Sequence, residues 1–198
     1  MVDDTHSTIG LGDPSEEWII PITEEKMKLG DALKSMGAAD GYLKQSDVPL
    51  IIKLTENPNY ATARWLGGPV DLFTHDCIHI LLGRGMLLKD EAFVIGFTMG
   101  SIDKMSKIRE KLFLFITRYL YPEGYKFYKE EAQVFKSAVE AAIRMNCADL
   151  TKVDFEKFMN LQLKTVRRKL KINKKYLKLA YAIEKAAYEK SPESQRLL

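Results

Sequence analysis

The stretch Pro69–Gly96, PVDLFTHDCIHILLGRGMLLKDEAFVIG, limits what this chain can fold into more than any other. On a helix over Val70–Leu82, the residues Leu72, Phe73, Ile78, Ile80, Leu81 and Leu82 cover nearly the whole circumference. A helix apolar on all sides is normally buried. The same stretch nevertheless carries His75, Asp76 and His79, and Glu91 follows after eleven intervening residues. Burying a polar group without a partner costs roughly 2–7 kcal/mol, and a charge more. At about 100° of rotation per residue, His75 and His79 lie about 40° apart, one turn along the axis. Asp76 falls about 100° from His75 and about 60° from His79. All three side chains can aim at one point, and Glu91 from a following helix would close the shell. Imidazole plus carboxylate is a ligand set for a divalent metal, and a shared cation offsets the cost of burial. The competing reading is a His–carboxylate cluster in the core with no ion.

Around this stretch the pattern is helical throughout. Pro21–Met36 is a helix candidate with Thr23 as N-cap, Glu24 and Glu25 in the first turn and Gly37 at the C-terminus. A short helix with Pro49 in its first turn follows and ends at Asn57-Pro58. Gly83 and Gly85 break the motif helix, and Lys89–Met99 is the second motif helix. Gly96 and Gly100, four apart, suit a close helix crossing. Asp90 points about 100° away from Glu91 and is the weaker ligand candidate. Lys104–Tyr121, Gly124–Met145, Asp154–Leu170 and Lys174–Glu189 complete the set. With no strand alternation and no repeat, the expectation is an all-α bundle of about seven helices with short loops. Residues 1–17 read as a flexible N-terminal tail and 18–198 as a single helical domain, a length sufficient for one core.

Composition narrows the class. The 46% hydrophobic and 29% charged fractions are those of an ordinary globular protein. Cys77 and Cys147 are too few for a disulfide framework and are not spaced as a metal pair. No run approaches the roughly 18 apolar residues of a membrane-spanning helix. The acidic start, MVDDTHSTIGLGDPSEEW, has neither the features of a signal peptide nor the arginines of a transit peptide. The expected form is therefore a cytoplasmic protein or a processed chain. Nucleic acid is discounted: net charge is only +3, pI is about 8.7, and no recognition motif accompanies the basic residues.

The pattern His-Asp-x-x-His, then eleven residues, then Glu resembles the signature of the Coq-four family of ubiquinone-biosynthesis proteins. The matching residues are His75, Asp76, His79 and Glu91, and the Gly83–Gly85 break and RYLYPEGY at Arg118–Tyr125 are similar too. The resemblance runs over roughly Ala61 to Leu170. It implies a mostly helical protein with a metal site beside an apolar lipid tunnel, tied to a membrane surface and to polyprenylated quinone precursors. It also implies a role in replacing the ring carboxyl of the precursor by hydroxyl. The lack of a transit-type leader departs from mitochondrial relatives.

The run Phe113, Phe115, Tyr119, Tyr121, Tyr125, Phe127 and Tyr128 packs a core or walls an apolar pocket for an isoprenoid tail. Arg118 and Arg64 stand within apolar text, where each pairs a carboxylate or meets an anionic head group near the metal. Lys164, Arg167, Arg168, Lys169, Lys171, Lys174, Lys175 and Lys178 form either a solvated face or a docking surface for anionic lipid.

Two functions follow. One is a metal-dependent enzyme on a prenylated substrate, with His75, His79, Glu91 and Asp76 as ligands, or Asp76 as general base. The other is a lipid-binding scaffold presenting a polyprenyl substrate to other quinone-biosynthesis proteins, with a homodimer a further expectation. Zn²⁺ fits the ligands best, and Mg²⁺ fits if a phosphate shares the ion. A zincin would carry Glu beside its first histidine, where Asp76 stands. An HD-type phosphohydrolase needs a further upstream histidine, and only His6 of the tail remains.

Overall fold

The computed structural model describes residues 18–40, 59, 61, 66, 70–102 and 106–198. Among them eight α-helices and three 3-10 turns account for the regular structure, with no strand beyond a single antiparallel bridge between Lys28 and Gln162. The all-α expectation holds at that level. The helices are α1 (Leu29–Asp40), α2 (Leu72–Leu82), α3 (Leu88–Gly100), α4 (Lys107–Tyr119), α5 (Lys129–Met145), α6 (Leu163–Lys169), α7 (Lys174–Ala187) and α8 (Pro192–Gln195). No helix among them is long and apolar enough to cross a membrane. The expected tail, the helix with Pro49, and Arg64 lie outside the described residues.

Each motif helix forms for a local reason. The Asp71 carboxylate caps α2 by accepting the Thr74 N–H at 2.7 Å, which satisfies one of the four orphan donors of the first turn. Gly83 ends the helix at φ 71°, and a Cβ there would lie 2.7 Å from the Ile22 nitrogen. A left-handed residue against another backbone requires glycine. Helix α3 starts with Asp90 accepting the Leu87 N–H at 3.3 Å. It then runs along α5, the pair sharing the most extensive helix contact of the fold. Gly96 lies against the Phe135 carbonyl and Gly100 against the backbone of Val139, so both glycines serve the close crossing expected of them.

One core joins all the layers. Ile78 and Leu81 of α2, Phe93 and Phe97 of α3, Phe113 of α4, Phe135 and Val139 of α5, and Leu177 and Tyr181 of α7 are buried within it. Phe113 stacks on Phe135 at 5.3 Å, and Phe93 meets Tyr181 edge-on at the same separation. The motif helix is buried from Cys77 to Leu82, while its first half faces partly outward.

Three boundaries differ from the sequence reading. The first helix begins at Leu29, with Gly37 inside it, because residues 21–27 turn instead of coiling. Glu24, expected in a first helical turn, accepts the backbone N–H groups of Lys26 and Met27 at 2.7 and 2.9 Å. The expected helix Asp154–Leu170 is divided into a 3-10 turn at Phe155–Phe158 and α6. Between them the chain extends to pair with the N-terminal segment. Leu29 and Gly30 donate to the Leu161 and Met159 carbonyls, and Leu163 and Lys164 to those of Met27 and Glu25. The proposed start of α5 at Gly124 is a separate 3-10 turn, Glu123–Tyr125, closed by Pro122.

Candidate metal centre

Three of the four motif side chains meet. His75 and His79 project from α2 one turn apart, and Glu91 reaches them from the first turns of α3. His75 Nε2 lies 2.9 Å from Glu91 Oε2, His79 Nε2 lies 3.2 Å from Glu91 Oε1, and the two Nε2 atoms are 2.9 Å apart. One ligand atom from each of these residues fits within 4.8 Å of the others, so the group can hold a metal ion. Asp76 is half-buried and outside this cluster.

The proton count favours a cation. His79 Nδ1 lies 2.7 Å from the Gly85 carbonyl, which can only accept, so Nδ1 carries the hydrogen. A neutral His79 then presents a bare Nε2 lone pair to the centre. That is the second contact expected of a ligating histidine, whose other ring nitrogen donates to a carbonyl or carboxylate. His79 Nε2, His75 Nε2 and both Glu91 oxygens thus crowd one small space, and a single hydrogen on His75 Nε2 satisfies only part of that set. A tetrahedral shell with bonds of 2.0–2.1 Å separates its ligand atoms by about 3.3 Å, a few tenths more than seen here. Burial pushes the Glu91 carboxyl up, but positive charge and hydrogen bonds at the imidazole edges of His79 and His75 outweigh it and hold the group well below the usual carboxylate range, so the centre favours positive charge beside this carboxylate. Cys77, one residue from Asp76, lies outside the cluster, and burial, with Asp76 and Asp71 nearby, pushes its thiol up to about 12.

Two buried arginines that the sequence reading did not single out support this geometry. Arg167, placed there among the surface bases, is 3% exposed and grips the end of α2. Its Nε donates to the Leu81 carbonyl at 2.9 Å and its Nη2 to that of Ile80 at 3.3 Å, while Nη1 donates to the carbonyls of Ile22 and Glu24 at 3.3 and 2.5 Å. Terminal helix carbonyls have no intrahelical partner and carry the negative end of the dipole, so a guanidinium suits them. Arg84, fully buried in the α2–α3 connection, makes a two-point pair with Glu184 of α7 at 2.9 and 2.5 Å and lies 3.7 Å from Asp90. The Phe93 and Tyr181 rings flank it at 3.9 and 4.3 Å. The available sequence signal was weak: an arginine between two glycines within an apolar run, with its partner a hundred residues away.

The proposed lipid contacts divide. Phe113, Tyr121 and Phe127 are core, whereas Phe115 and Tyr119 stand on the surface at 55% and 65% exposure with their rings 4.9 Å apart. Arg118 is exposed and lies over the Tyr128 ring at 4.4 Å. Of the basic run, Arg167 is internal and Lys174 pairs with Glu25, while Lys164, Arg168, Lys169, Lys171 and Lys175 face outward.

Fold and site together define an all-α protein with a two-histidine, one-glutamate centre able to hold a metal ion. Compared with family models, with curated proteins and with solved structures, the chain matches none.

Proposed function

We propose that this chain is a divalent-metal protein of the Coq-four type, acting in quinone biosynthesis on a polyprenylated precursor at its ring carboxyl. The observation that carries the metal part is the convergence of His75, His79 and Glu91, with the His79 tautomer set by the Gly85 carbonyl. The motif resemblance carries the substrate class. Zn²⁺ is the preferred ion for two imidazoles and a carboxylate, with Mg²⁺ the choice if a phosphate completes the shell. A bound cation there would polarise a substrate oxygen or activate water. In this reading His75, His79 and Glu91 hold the ion, and Asp76, off the cluster on the same helix, is the candidate base.

Membrane contact belongs to the same proposal. Lys164, Arg168, Lys169, Lys171 and Lys175 face outward, and Leu179 and Ile183 of α7 are 61% and 63% exposed. Each cation near an anionic bilayer is worth about 1 kcal/mol. Phe115, Tyr119 and Arg118 would meet lipid from the outside of α4.

The position of Asp76 favours a second reading. A base outside the ligand cluster suits an ion that is structural or grips a head group, in a scaffold that presents a polyprenyl lipid to partner enzymes. Turnover of a prenylated benzoate, with and without added metal, separates the two. Turnover abolished by Glu91→Ala in a folded protein supports the enzyme and excludes the scaffold. Lipid binding without turnover excludes the enzyme.

A further inference from the structure

Two supports of the metal centre, one in the connection between α2 and α3 and one in the first turn of α3, meet the same side chain from the far end of the fold. Gly85, whose carbonyl sets the His79 tautomer, lies directly under the Arg196 guanidinium. A Cβ built on Gly85 would fall 2.8 Å from Arg196 Cζ. Asp90, the residue before the ligand Glu91, is fully buried and pairs with Arg196 through Oδ2. Arg196 follows α8 directly, more than a hundred residues after the motif, and its side chain is 19% exposed. The α8 segment is anchored to the same network, since the Ser194 hydroxyl donates to Glu184 at 3.1 Å and Glu184 holds Arg84.

We propose that Arg196 is a positioning residue of the metal centre: by covering Gly85 and pairing with Asp90, it fixes the spacing between the backbone that orients His79 and the backbone that carries Glu91. This rests on the metal reading given above. The physical reason is that outer contacts of a ligating histidine set its orientation, and losing them lowers metal affinity about 10–100-fold. Its effect passes through the two places it meets, the backbone at Gly85 and the Asp90 carboxylate beside Glu91.

The test uses the full chain, stripped with chelator. Zn²⁺ affinity is measured by competition with a chromophoric chelator, and the visible spectrum is recorded with Co²⁺ in place of Zn²⁺. Wild type, Arg196→Met and Arg196→Lys are compared at a temperature where each is fully folded by circular dichroism. Arg196→Met is expected to bind Zn²⁺ about 10–100-fold more weakly and to shift the Co²⁺ bands, with Arg196→Lys between it and wild type. Asp90→Asn supplies a second perturbation of the same lever, and adding Arg196→Met to it should cost little more. A lower Tm for metal-free Arg196→Met with wild-type affinity and spectrum would make the role purely structural and overturn the proposal. Wild-type protein that takes up neither ion would instead refute the metal reading, and this proposal with it.

Discussion

Arg84→Met removes a fully buried cation that ties the metal-binding connection to α7. In the native protein its guanidinium spends two hydrogen bonds on Glu184, sits 3.7 Å from Asp90 and is sandwiched by Phe93 and Tyr181. Methionine is close to it in length and keeps much of the contact with both rings, so little cavity forms. What is lost is the charge. Glu184 keeps only the Ser194 hydroxyl, and Asp90 keeps Arg196 and the Leu87 N–H. Breaking a buried pair from one side costs about 3–5 kcal/mol. For a chain of this size that lowers Tm by about 6–20 °C. With a urea m-value of about 2 kcal/mol/M, it lowers the midpoint by about 2 M. The double variant Arg84→Met/Glu184→Met replaces the pair by apolar groups and should recover most of the loss, because such exchanges are often neutral. Urea unfolding of all four proteins, followed by circular dichroism, closes the cycle. A single-variant cost below about 1 kcal/mol, or a double variant as damaged as the two singles added together, would refute the claim that a paired charge holds this part of the fold.

Other consequences are direct. Arg167→Met strips four backbone carbonyls, two of them at the end of α2, of a charged donor; urea unfolding should show a loss of about 3 kcal/mol or more. Gly96→Ala drives a methyl against the Phe135 carbonyl and Ala138; overpacking of about 1–3 kcal/mol should outweigh the helix-propensity gain of about 1 kcal/mol, leaving a lower Tm. In metal-free protein the depressed Glu91 carboxyl contributes stability that is present above its ordinary value of 4.5 and is lost as pH falls through its lower folded value. Glu91→Gln should therefore flatten the acid side of the curve of urea midpoint against pH, and an unchanged slope would count against the Glu91–imidazole contact.

Where the sequence was legible, short-range chemistry decided the outcome. The end of α2 followed from Gly83, the convergence of His75, His79 and Glu91 from helical rotation, and a close crossing on α3 from two glycines one turn apart. Where it was not, a partner distant in the chain decided. Residues 159–162 leave the helical pattern because the segment 25–30 offers its backbone there. Arg167 reads as one more surface base until α2 presents it with the carbonyls of its last turn. The aromatic run showed that Phe113 and Phe115 belong to one helix, yet its neighbours put the first in the core and the second outside. Asp76 shows the limit of a four-residue motif: helical rotation allowed its side chain to join the ligands, and the cluster that forms is His75, His79 and Glu91 without it.

Native mass spectrometry of the full chain after chelation and incubation with Zn²⁺ tests the central claim most directly. The account predicts one ion per chain in wild type and none in His79→Ala or Glu91→Ala that retain the native charge-state distribution. Wild type without an ion, or the same occupancy in the variants, would contradict it.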